Sequence, residues 1–166
     1  MLILLFTALI CLLLGMGLPT TANYIVVSTL MAPVIVTLGA QNGLIVPLIA
    51  VHMFVFYFGI LADDTPPVGL AAFAASAIAQ SDPIKTGIQG FLYDIRTAIL
   101  PFLFIFNTEL LMIGIESWWH LLITIFTAVL AMLLFAAATQ GYFFVKSRWW
   151  ETVILLLISF TFFRPG

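Results

Sequence analysis

Charge is what this chain has least of. Its 166 residues carry five Lys and Arg against seven Asp and Glu, 7% in all, where an ordinary soluble domain has about a quarter of its residues charged. So few cations leave no polybasic patch for nucleic acid or for an anionic lipid surface. Cysteine is nearly absent as well: Cys11 stands alone, which excludes an intrachain disulfide, and it reads as an apolar filler. No spacing of Cys, His and carboxylate resembles a metal site. The opening MLILLFTALICLLLGMG lacks the basic start, the small-residue cleavage site and the polar domain behind it that would make it a signal peptide. It reads as structure, already apolar at its second residue, as in a chain that begins within a larger architecture.

What is present is apolar. Hydrophobic residues make up 64% of the chain and mean hydropathy is +1.25, more than a soluble fold of this length could hide from water. The class this implies is all-α and integral to the membrane, because helices satisfy their own backbone in lipid. The first apolar run, Leu2 to Leu14, would make a helix of ~20 Å against ~30 Å of hydrocarbon. It ends at GMGLPTT, Gly15 to Thr21, and a second run follows from Ala22 to Leu38. Two short helices meeting at a Gly/Pro tip, about 2–38, predict a re-entrant hairpin, tolerated only where its loosened backbone is buried in protein or lines a cavity.

After the polar turn GAQNG, apolar sequence runs from Leu44 to Ala62, breaks at DDTPP, and resumes from Val68 to Ala79. Pro66 and Pro67 lack an N–H, and proline pushes the residue before it out of helical geometry, so Thr65 should be extended. The stretch of about 44–80 therefore reads as a discontinuous helix, its second half opened by the aspartates, Thr65 and the prolines as an N-terminal arrangement. Ser81 to Arg96 holds Asp82, Lys85, Asp94 and Arg96 and is expected outside the hydrocarbon as a linker. A helix over about 97–115 and two trailing spans in 115–166 complete the chain, with a domain boundary expected between 114 and 115. Lys85, Arg96, Lys146 and Arg148 fall in two loops separated by two spans, which makes both loops cytoplasmic, with Arg164 dissenting. Trp118, Trp119, Trp149 and Trp150 fall at helix ends, where interfacial anchoring explains them.

Two broken elements at mid-membrane supply the chemistry. Unwound backbone offers carbonyls, and half-helix N-termini offer partial positive charge. With the hydroxyls of Thr20, Thr21 and Thr65 the carbonyls suit a hard cation such as sodium; the helix N-termini suit a carboxylate. Asp63 and Asp64 would cost on the order of 5 to 7 kcal/mol if both lay deep and ionised. Either one caps the following half-helix while the other is protonated or wet, or they coordinate a cation or order its loop.

The segments GMGLPTTANYIV, HMFVFYFGILADDTPPVGLAAFAASAIAQSDPIKTG and ILPFLFIFNTELLM, in this order and spacing over Leu2 to Gly114, resemble the large membrane subunit of the tripartite ATP-independent periplasmic (TRAP) transporters. The resemblance is strongest to the DctM-like fused permeases that work with TAXI-type binding proteins, and to their C-terminal portion alone. It implies the second inverted repeat of an elevator-type permease in a bacterial or archaeal inner membrane. The activity implied is sodium-driven uptake of an organic carboxylate. The implied partners are a periplasmic binding protein, the N-terminal remainder of the permease, and a small membrane subunit or its fused equivalent. Sodium would be the coupling ion, with no organic cofactor. The resemblance places the cation at Gly15, Gly17, Thr20, Thr21, Ala62, Asp63 and Thr65, and the substrate at Pro19, Thr21, Asn23, Asp64, Pro66 and Pro67. Asp64 departs from the family pattern, where the position is more often apolar, and leaves open which aspartate matters.

Other functions fit less well. A magnesium-dependent prenyl transferase needs a third acid that DDTPP lacks, and an intramembrane aspartyl protease needs its two acids on separate helices. A channel could also use broken hairpins, but two different breaks favour alternating access. A non-transporting fragment is a further alternative. Asn23 could bridge helices as well as touch substrate, His52 reads as a hydrogen-bonded bundle histidine before a proton relay, and His120 reads as interfacial.

Overall fold

A computed structural model describes residues 2–65, 69–94 and 96–163, apart from the side chain of Asp64. The chain forms two compact units, Met1–Ile105 and Phe106–Gly166.

In the first unit, α1 (Leu2–Gly15) and α2 (Thr20–Gln41) form a hairpin closed by the tip residues 16–19. Pro19 occupies the N-cap of α2 with φ −56° and ψ 147°, a position where its missing N–H costs nothing. The second arm has 22 residues, three or so beyond its apolar run at the C-terminal end, and is by length and composition able to cross a membrane. Pro33 lies inside it, so one helical hydrogen bond is missing mid-arm; Thr37 Oγ1 donates to the Pro33 carbonyl at 2.7 Å.

The helix α3 (Leu48–Asp64) begins at Leu48 rather than Leu44, because Pro47 takes its N-cap and disfavours helical geometry in Val46. It is the core of the unit: Ala50, Val51, Phe54 and Val55 have no exposed surface. It returns antiparallel to α2 and lies alongside α1, so that its C-terminal end reaches the hairpin tip. Thr65 is extended, φ −79° and ψ 119°, the geometry a following proline demands. Pro66, Pro67 and Val68, where the sequence placed the break and the start of the second half-helix, lie outside the described residues.

The second half-helix, α4 (Leu70–Ala79), starts after Gly69 with φ 38°, and no side chain among the described residues caps it. This corrects the expected N-terminal arrangement. Asp63 and Asp64 close α3 instead of opening α4, since α3 continues unbroken up to the residue that proline forces out. The polar stretch after it is not a loose linker: Asp82 caps α5 (Pro83–Asp94) by accepting from Ile84 N at 2.9 Å and Lys85 N at 3.2 Å. The α6 helix (Ile99–Phe106) sets Phe102 edge-on against Phe54 and Phe58 of α3, at 5.1 and 5.8 Å between ring centroids. The segment Pro83–Phe106 as a whole is also long and apolar enough to cross a membrane.

The helix expected over about 97–115 is shorter than that. It stops at Phe106; Asn107 takes φ −128° and ψ 86°, a 3-10 turn follows over Thr108–Leu111, and Met112 is left-handed. Asn107 leaves helical geometry as its amide turns to a backbone carbonyl 56 residues on, that of Phe163, at 3.1 Å.

The second unit is a helical hairpin. Its long arm α7 (Trp118–Gln140) is able to cross a membrane. Ser117 caps it by accepting from His120 N, and Gly141 ends it at φ 64°. A two-residue ribbon, β1 (Tyr142–Phe143) with β2 (Val145–Lys146), turns the chain into α8 (Trp149–Phe163). The arms are tied by Ser159 Oγ donating to the Ala131 carbonyl at 2.8 Å, both residues fully buried. Trp118 and Trp119 begin one arm, Trp149 and Trp150 the other, so the antiparallel return puts one tryptophan pair at each end. Large apolar side chains such as Leu122, Phe126, Val129, Leu133 and Leu157 are exposed along both arms, the outside of a helix pair that faces lipid.

Candidate functional site

The hairpin tip and the end of α3 meet. Thr20, the first residue of α2, donates from Oγ1 to Asp63 Oδ2 at 3.1 Å. On the other arm Gly15 packs against α3 so closely that a Cβ there would collide with the Ala62 side chain and lie 2.7 Å from the Asn23 amide nitrogen. Only glycine allows that crossing.

Asn23 sits between the three helices with no exposed surface. Its Nδ2 donates to the Cys11 carbonyl at 2.9 Å, which fixes the amide orientation, since a carbonyl needs a donor. Its Oδ1 is buried, with no hydrogen-bond partner among the described residues. A Cβ at Gly59 would stand 3.6 Å from the same amide nitrogen, so α3 presents two small residues, Gly59 and Ala62, to the tip.

Thr65 Oγ1 donates back to the Leu61 carbonyl at 2.7 Å. Both threonine hydroxyls thus have their protons engaged, Thr20 on the carboxylate and Thr65 on the backbone, and their oxygen lone pairs remain for a cation. Thr20 and Asp63 form an oxygen pair at the end of a helix, whose last carbonyls carry partial negative charge.

The structure brings Gly15, Thr20, Asn23, Ala62 and Asp63 together. Thr65 follows at the end of the same helix. Gly17 and Pro19 at the tip and Thr21 on α2 are exposed, Thr21 lying a residue further round the helix than the side chain that reaches Asp63. Pro66, Pro67 and the side chain of Asp64 lie outside the described residues.

One contact went unread in the sequence. Tyr24 Oη and His52 Nδ1 are 2.9 Å apart, and the Tyr24 ring also meets Phe56 edge-on at 5.9 Å between centroids. The signal was there in the spacing: Thr20, Asn23, Tyr24, Val27 and Ser28 form one helical face of α2, and His52, Phe56, Gly59 and Asp63 one face of α3. Towards the other end of these helices, away from Thr20 and Asp63, lies a groove of about 540 Å³ bounded by Ser28, Pro33, Thr37 and His52. The contact makes His52 a hydrogen-bonded bundle histidine.

Apolar helices, with segments long and apolar enough to cross a membrane, and a hairpin tip packed against the end of α3 define the class as a helical membrane protein. Residues 1–119 match the family model of the tripartite ATP-independent periplasmic transporter, DctM component; the chain belongs to that family. Residues 121–166 match a domain of unknown function, DUF3394. No curated protein and no solved structure matches the chain. Membership makes the chain a membrane component of a TRAP transporter, a family of transporters rather than enzymes whose membrane subunits work with a periplasmic binding protein and a small membrane subunit.

Proposed function

We propose that the protein takes part in sodium-coupled uptake of an organic carboxylate, with the tip of the α1–α2 hairpin and the C-terminal end of α3 forming a cation site. The observation that carries this reading is the Thr20 to Asp63 hydrogen bond, which joins two backbone interruptions 43 residues apart. Asp63 supplies charge, Thr20 and Thr65 supply hydroxyl oxygens, and the backbone of the 16–19 tip and of the extended Thr65 supplies carbonyls. Sodium favours such hard oxygen ligands. Asn23 holds α1 and α2 at the spacing the site needs.

The substrate carboxylate would lie on the exposed side of the same tip, near Pro19 and Thr21; Asp64, Pro66 and Pro67, expected to contribute to the same site, have side chains outside the described residues. Movement would be of elevator type, the hairpin and the broken helix travelling together as one body, as their close packing through Gly15 and Ala62 favours. A TAXI-type binding protein is the expected donor, and the basic residues Lys85, Arg96, Lys146 and Arg148 are expected on the cytoplasmic side.

The test is uptake into proteoliposomes by the complete permease with its binding protein, at varied sodium. Asp63→Asn keeps the shape and removes the charge. Half-saturation by sodium is expected to rise by about tenfold, the size of a lost charged hydrogen bond. An unchanged sodium dependence in both Asp63→Asn and Thr65→Ala removes the site assignment.

A further inference from the structure

The turn between α7 and α8 carries aromatic rings where a turn ordinarily carries glycine. The ribbon pairs Tyr142 with Lys146 and Phe143 with Val145, which leaves Phe144 alone at the tip. Its φ is 58°, a left-handed conformation that glycine or asparagine takes readily and a bulky residue does not. The ring is 84% exposed. It meets the Phe143 ring edge-on at 4.9 Å between centroids, and that ring is itself 45% exposed. Backbone chemistry disfavours phenylalanine at this tip, so the reason for it lies in what the ring meets outside the chain. Nor does a core hold the ribbon. Phe143 and Val145 face a cleft of about 310 Å³ whose other walls include Trp150 and Ile154, while Tyr142 and Lys146 alternate to the opposite face. All four are exposed, and a two-stranded hairpin is marginal in water by itself.

The position of the ribbon says what surrounds it. With 23 residues, α7 rises about 34 Å against ~30 Å of hydrocarbon, and its lipid-facing exterior leads directly into β1. The ribbon therefore starts where the span leaves the hydrocarbon. Its composition suits that layer: Tyr142, Trp149 and Trp150 are amphipathic rings of the kind that favour headgroup depth, and Lys146 and Arg148 are exposed cations. The acid nearest in sequence, Glu151, has Oε2 accepting from Arg148 N at 2.8 Å. Two bases are too few to select an anionic leaflet, but they suit the phosphate that every phospholipid carries, reached on long apolar stems. We propose that the 142–146 ribbon is a wedge in the lipid leaflet, with the Phe144 ring below the phosphates and Lys146 and Arg148 directed to phosphate oxygens. Burial of the ring in lipid offsets the cost of the left-handed backbone. The wedge fixes the depth of this end of the α7–α8 hairpin.

The test places a nitroxide at Phe144→Cys, on a Cys11→Ser background, in the assembled permease reconstituted in phosphatidylcholine vesicles. Its depth is read from collisions with oxygen, which concentrates in lipid, and with a nickel chelate, which stays in water. A depth of about 5–10 Å into the leaflet is expected. Because this label replaces the ring, a second one at Lys146→Cys is read with Phe144 intact and again with Phe144→Asn, which fits the left-handed backbone and removes the ring. The second label should lie among the headgroups when the ring is present and shift towards water when it is absent. Three results overturn the proposal: a label at 144 that collides with the chelate as freely as in water, a label there shielded from both reagents as a protein partner would shield it, or a Lys146 label at the same depth in both backgrounds.

Discussion

The two units each bury one asparagine, and each uses it the same way. Asn23 donates to the Cys11 carbonyl and Asn107 to the Phe163 carbonyl, and each keeps a buried Oδ1 with no donor among the described residues. The surroundings differ. Asn23 is wedged where Gly15 lets three helices approach, and a Cβ at Gly15 would lie 2.7 Å from its amide nitrogen. Asn107 borders a cavity with a carboxylate and an imidazole in its wall. In lipid, where apolar side chains gain little by meeting one another, helix association depends on small residues and interhelical hydrogen bonds. The first unit uses both devices at once; the second uses the hydrogen bond and leaves space.

The sharpest break in that contrast is at Gly15. Gly15→Leu should separate the tip from α3, lowering the stability of the purified full permease by roughly 1–3 kcal/mol and abolishing uptake, read by thermal unfolding in detergent and by proteoliposome transport. Ala62→Gly should restore part of the stability of the lesser variant Gly15→Ala, because it removes the atom the new methyl meets. Native-like stability in Gly15→Leu would mean that the close crossing is not made.

Next in size are the asparagines. Asn23→Leu should cost about 1–2 kcal/mol, since the Cys11 carbonyl loses its side-chain donor and a bulkier branch enters a filled space. Asn107→Leu should cost less, because the adjoining cavity can take up the added bulk. Equal losses in the same unfolding assay would erase the difference between the regions. The smallest effect is expected at Tyr24→Phe, which removes the hydroxyl bound to His52 and should cost about 0.6 kcal/mol, a typical interhelical hydrogen bond in a membrane protein.

Much of the first unit was legible in the sequence because its signals are local. Gly15 and Pro19 mark a helix end and a helix start, and Pro66 dictates the extended Thr65. What was misread depends on tertiary contact. Nothing near Asn107 in the chain announces a stop, and the helix ends there because the amide serves a carbonyl 56 residues away. The place of the aspartates relative to the break was misread for a subtler reason: an acid before a proline suits a helix start as well as a helix end, and the choice fell to where α3 could run unbroken. For the cation site, the residue types could be read from the sequence. That Thr20 and not Thr21 faces Asp63 could not, because a single residue of rotation about α2 decides it.

The account rests on the hairpin tip and the end of α3 touching within the membrane. With Cys11→Ser as background, a Thr20→Cys and Asp63→Cys pair in the assembled permease should be joined by copper-phenanthroline oxidation in native membranes. The control pair Leu38→Cys and Asp63→Cys, with the first thiol about 27 Å further along α2, should stay reduced. A reduced Thr20/Asp63 pair, or equal cross-linking of both pairs, would contradict the account.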